Sequence, residues 1–189
     1  MERASKRNLR VLIVGKRAAS VHLLRMGLNL AGISNVVLSA ESDRAIDLLR
    51  CEFFDAVFCD ELADDLDGVA FPRAARKTDG VLNAMMPIFL VYSRAARSHV
   101  ERARDDGVTS VLTLPISAAT LLRKINAAIS HPRSFIVASD FFGPDRRVGN
   151  RKHFLGQERR VRMPRKVKVG APGKKNPDGD KAGREDVLT

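Results

Sequence analysis

The sequence predicts an α/β fold, a doubly wound parallel sheet built as (βα)5 over residues 1–130, followed by a largely irregular basic tail over 131–189. Three observations predict it. Short apolar, β-branched runs alternate five times with segments of helical periodicity. Those runs are nearly continuous in apolar residues, as strands covered by helices on both faces are. Periodicity then stops at His131-Pro132, after which Gly, Pro, Lys and Arg dominate and disorder is expected from about residue 162.

Each element has its own signal. LRVLIV (9–14) is the first strand. Residues 18–31 place Val21, Leu24, Leu28 and Ala31 on one helical face, and Gly32 closes that helix. NVVLSA (35–40) is the second strand, and Ser42 reads as the N-cap of a helix with Ala45, Ile46 and Leu49 inward. DAVFC (55–59) is the third strand. VAFPRAARK (69–77) is a weaker helix whose Pro72 suits a first turn. PIFLVYS (87–93) is the fourth strand, with a polar helix near 95–106 ended by Gly107. VTSVLTL (108–114) is the fifth, and Ser117 caps a last helix with Leu121, Leu122, Ile125 and Ile129 inward.

Composition bounds the function. The 189 residues are 44% apolar, enough for one core, and carry a formal net charge of +11. Residues 131–189 hold 15 of the basic and 7 of the acidic residues, so the tail supplies +8 of that excess. A basic tail suits nucleic acid, an anionic surface or an acidic protein partner. Cys51 and Cys59 make neither a disulfide framework nor a zinc site, and the four histidines show no metal-ligand spacing. No run of about 20 apolar residues and no signal peptide is evident, so a soluble, cytoplasmic protein without membrane contact is expected. The Gly15-Lys16 pair lacks the glycine-rich spacing of a phosphate loop.

Right-handed crossovers in the flavodoxin-like order 2-1-3-4-5 put the functional crevice at the carboxyl ends of strands 1 and 3. Strand 3 ends on Asp60, and strand 1 ends on Gly15 and Lys16. Gly68 follows Asp60 by eight residues, Ser93 ends strand 4, Gly107 precedes strand 5, and Leu114-Pro115 ends it. In this register the chain resembles the receiver domain of bacterial two-component response regulators, over about residues 8–130. The resemblance implies a phosphoacceptor-equivalent aspartate at Asp60, a switch hydroxyl at Ser93 that engages the phosphoryl oxygens, and a histidine kinase or other regulator of the pathway as partner. It implies a signalling module and not a turnover enzyme, with no catalytic residue of its own.

The departures from that family are as informative. Receivers carry two acidic residues after strand 1 to hold Mg²⁺, and here Gly15 and Lys16 stand there. Their lysine before the strand-5 proline is Leu114, the strand-5 aromatic is Val111, and the proline after the phosphoacceptor is Asp64. Phosphoryl transfer needs positive charge on the equatorial oxygens, and these substitutions remove most of it. Lys16 either swings its ammonium toward Asp60 or points to solvent. Asp64, Asp65 and Asp67 either supply replacement ligands or form a solvated loop. The expectation is therefore no metal and no cofactor, with Mg²⁺ entering only if Asp60 is phosphorylated.

The tail repeats one plan, FFGPDRR (141–147) and FLGQERR (154–160). Gly143-Pro144-Asp145 reads as a turn. Phe141, Phe142 and Phe154 are candidate anchors for a partner, and Arg146, Arg147, Arg159 and Arg160 candidate bidentate contacts to carboxylate or phosphate. The alternative has the phenylalanines packed back on their own domain. The reading is a stand-alone degenerate receiver acting as an adaptor through protein contacts. Its alternatives are a phosphoaccepting regulator with an atypical metal site at Asp60, and a nucleic-acid-associated protein using the basic tail.

Overall fold

The computed structural model describes residues 8–60, 70–93, 97–138, 141–145 and 165–168. Five strands and five helices alternate: β1 (Val11–Val14), α1 (Ala18–Leu30), β2 (Val36–Ser39), α2 (Ser42–Cys51), β3 (Ala56–Asp60), α3 (Phe71–Lys77), β4 (Ile88–Tyr92), α4 (Arg97–Asp105), β5 (Ser110–Thr113) and α5 (Ala118–Ser130). The strands pair in parallel in the order β2-β1-β3-β4-β5, the doubly wound arrangement expected.

Strand residues alternate between two cores, because successive side chains leave opposite faces of the sheet. Leu12, Val14, Val57, Cys59, Ile88 and Leu90 pack under α2 and α3. Val11, Ile13, Ala56, Phe58, Phe89 and Val91 pack under α1 and α5, with the Phe58 and Phe89 rings stacked at 4.8 Å. Both faces being covered is why these strands read as unbroken apolar runs. No helix among the described residues is long and apolar enough to cross a membrane.

The helices are not equally well held. α5 buries Leu121 and Ile125, each contributing on the order of 2 kcal/mol of apolar burial. α4 buries Ala103 alone among its described side chains, so its apolar anchorage is far smaller.

Local signals held at some ends and shifted at others. Ser117 caps α5, accepting from Thr120 N at 3.2 Å. Gly32 takes φ +85° after α1, as a helix stop requires. Ser42, by contrast, is the first residue of α2; Glu41 is the cap position and makes no side-chain cap. The hydroxyl that acts there is Ser39, which donates to Glu41 O at 2.8 Å.

After α5 three short strands lie among the described residues of the tail, which was expected to be largely irregular. β6 (Phe135–Val137), β7 (Phe142–Pro144) and β8 (Arg165–Val167) form a separate antiparallel sheet in the order β7-β6-β8. Gly143-Pro144, read as a turn, lies in β7, with Phe135 opposite Pro144. Proline is tolerated there because β7 is an edge strand, where one missing N–H breaks no central ladder. Three-residue strands carry no readable period, so the sequence offered no signal for them.

Candidate functional site

The site sits where β1, β3 and β4 end. Asp60 is the last residue of β3 and is only 3% exposed. Gly15 follows β1, buried, with its N–H on Ser39 O at 3.0 Å. Ser93 follows β4 and is exposed. The fold thus brings Gly15, Asp60 and Ser93 to one edge of the sheet, as the strand order requires.

The environment of Asp60 is crowded on the β1 side. A Cβ at position 15 would lie 2.9 Å from Asp60 Cβ, 3.2 Å from Val21 Cγ2 and 3.6 Å from Asp60 Oδ2. Glycine therefore stands where no other side chain fits unless its neighbours move. Lys16 is exposed. Leu114 is partly buried against the core beneath α1 and α5, and its N–H donates to Tyr92 O at 2.9 Å. An aliphatic group in that place fills space and supplies no charge.

Two neighbours of the site were not legible in the sequence. Arg17, the N-cap residue of α1, reaches across the crevice and donates from Nη1 to Ser93 Oγ at 3.3 Å. The contact joins residues 76 apart, and only the basic run after β1 hinted at it. Tyr92, just before Ser93, stacks on His99 of α4, with ring centroids 5.0 Å apart and planes 11° apart. His99 therefore fastens a helix rather than sitting idle on its face.

In the tail, Phe142 is half-buried and packs on the chain's own Phe135, centroids 5.4 Å apart, and Phe141 is half-buried beside it. Arg146, Arg147, Phe154, Arg159 and Arg160 lie outside the described residues, as does the acidic loop with Asp64, Asp65 and Asp67.

No protein-family model matches the chain. Among curated proteins it is similar to chemotaxis protein CheY-3 of Vibrio cholerae, 23% identical over 126 residues, covering 67% of this chain and 95% of the relative. Among solved structures it superposes on the receiver domain of sensor histidine kinase PA1611 from Pseudomonas aeruginosa, with TM-score 0.55, 22% identity and coverage of 63% and 95%. It also superposes on a CheY-like receiver domain protein of Methanospirillum hungatei, with TM-score 0.52, 23% identity and coverage of 62% and 90%. The chain has a CheY-like receiver fold.

The Pseudomonas receiver holds a magnesium ion in its active-site cleft. In this chain the two residues after β1, Gly15 and Lys16, bring no carboxylate to such an ion. Magnesium takes near-octahedral oxygen ligands, with one or two carboxylates plus waters and phosphate. Glycine and lysine occupy the β1 positions, Asp60 fills the room a β1 side chain would need, and Arg17 brings a cation to Ser93. Arg17→Ala is expected to change the unfolding free energy by no more than about 1 kcal/mol, since exposed polar contacts of this kind contribute little. A larger loss in a thermal melt would show that Arg17 is structural.

Proposed function

We propose that this receiver domain works in two-component signalling as a degenerate receiver, an adaptor acting through protein–protein contacts without magnesium-assisted phosphorylation of Asp60. The observation that carries the reading is the β1 end of the cleft. Gly15 and Lys16 stand in the acidic positions, and the space above Gly15 is taken by the Asp60 side chain itself. A phosphoryl group at Asp60 would find neither the metal's ligands nor, with Leu114 in place, the strand-5 ammonium.

Protein contact is supported by α1, whose Leu23, Met26 and Leu30 are 44%, 47% and 74% exposed at three- and four-residue spacing. That seam suits an amphipathic helix of a partner, with acidic flanks to meet exposed Lys16 and Arg25. The arginines of the two tail motifs would add bidentate contacts to acidic groups.

The test is incubation of the full chain with acetyl phosphate and Mg²⁺, wild type beside Asp60→Ala, read by phosphate-affinity gel and intact mass. No shift in the folded wild type is expected. A shift seen in wild type and lost in Asp60→Ala would overturn the reading and make this a working phosphoacceptor.

A further inference from the structure

α4 has little apolar contact of its own, and a helix so placed owes its order to whatever clamps its ends. At its start His99 stacks on Tyr92. At its end two arginines of α3 take hold. Arg73 pairs with Asp106 at 3.2 Å and donates to Asp105 O at 3.4 Å. Arg76 donates from both Nε and Nη2 to Gly107 O at 3.3 Å, and from Nη1 to Ala84 O. Guanidinium groups are favoured there by the partial negative charge of a helix carboxyl end.

Arg76 also connects outward. It is 4% exposed, and its guanidinium lies 5.0 Å from the centre of the Phe135 ring in β6. Next to it the β6–β7 hairpin presses on the α4–β5 turn. Gly107 has φ +78°, and a Cβ there would meet Phe142 O at 2.9 Å. A Cβ on Gly143 would stand 2.8 Å from Gly107 Cα. Two glycines thus let backbone meet backbone, and the buried arginine sits between turn and hairpin.

We propose that this junction is a conformational coupling device: docking of the β6–β7 hairpin holds the carboxyl end of α4, so the state of the C-terminal extension and the state of α4 bias one another. The coupling is reciprocal by thermodynamic necessity. A ligand or partner that pulls on the extension loosens α4, and one that displaces α4 loosens the extension. The device works whether or not Asp60 accepts phosphate.

Amide hydrogen exchange on the full chain tests it. The amides of Asp106, Gly107 and Val108, bonded to the carbonyls of Arg102, Arg104 and Ala103, report the end of α4. Those of Ala138 and Asp145, bonded to Phe141 O and Ser134 O, report the hairpin. Ile13 and Phe58 in the central strands report global opening. Gly143→Val is expected to accelerate the hairpin and the α4-end amides together, by roughly tenfold or more, with the central strands unchanged. Acceleration of the hairpin alone overturns the proposal, and so does no acceleration anywhere. If the central strands also accelerate, Phe142→Ala, which removes one ring and inserts nothing, decides between the same outcomes. In the reverse direction His99→Ala is expected to accelerate Ala138 and Asp145, and unchanged hairpin amides would refute reciprocity.

Discussion

Arg76→Lys is expected to cost more stability than Arg76→Met, the reverse of what conservative substitution suggests. Burial pulls the Arg76 guanidinium down to about 9, and the nearby Cys59 thiol acts in the opposite sense. The group is therefore still charged at neutral pH, and the cost of burying it is balanced by its three bonds to the carbonyls of Gly107 and Ala84 and by the Phe135 ring. A lysine keeps the buried charge but has no planar fork to serve two carbonyls on separate segments. The expected loss is about 3–4 kcal/mol, since a charge is left poorly paired in the interior. Methionine removes the charge and most of its desolvation cost, leaving two carbonyls short of donors, for a net loss of about 1–2 kcal/mol. Denaturant melts of both variants check the order. Lysine tolerated within about 1 kcal/mol would show that fork geometry is not what the site requires.

Placing an acid at the end of β1 is expected to harm this protein. In Gly15→Asp the new Cβ starts 2.9 Å from Asp60 Cβ, and a second carboxylate arrives beside one that is 3% exposed. Overpacking of that kind costs about 1–3 kcal/mol, and two like charges in a buried site add to it. Gly15→Ala isolates the steric part, so the difference between the two variants measures the charge. Thermal melts with and without Mg²⁺ are the readout. The aspartate variant is expected to melt lowest, with no recovery on adding the metal. A magnesium-dependent rise above wild type would mean that the cleft still opens to a receiver's ion site and that the departures at 15 and 16 are superficial.

How far the sequence could be read follows from the range of the interactions involved. The three central strands were legible because both of their faces are buried, and Asp60, Gly15 and Ser93 fall at one edge because strand ends in a doubly wound sheet converge by topology. Ser117 was read correctly as a cap because capping is local, whereas Ser42 missed by one position because helix ends shift by a residue or two. Arg17 on Ser93 and Arg76 on Gly107 span 76 and 31 residues, and no local pattern announces a contact that only the folded sheet creates. The hairpin after α5 was missed for the same reason. Its strands are three residues long, and their order comes from Arg76, Gly107 and each other rather than from periodicity.

The position of β8 has a consequence for occupancy. β8 pairs antiparallel with β6, which follows α5 at the amino edge of the five-stranded sheet, while Asp60 lies at the carboxyl edge. Strands of four or five residues separate those edges by roughly 13–17 Å of backbone alone. A molecule seated on residues 165–168 and one seated over Asp60 need not compete for the same ground, so titrating either is expected to leave room for the other.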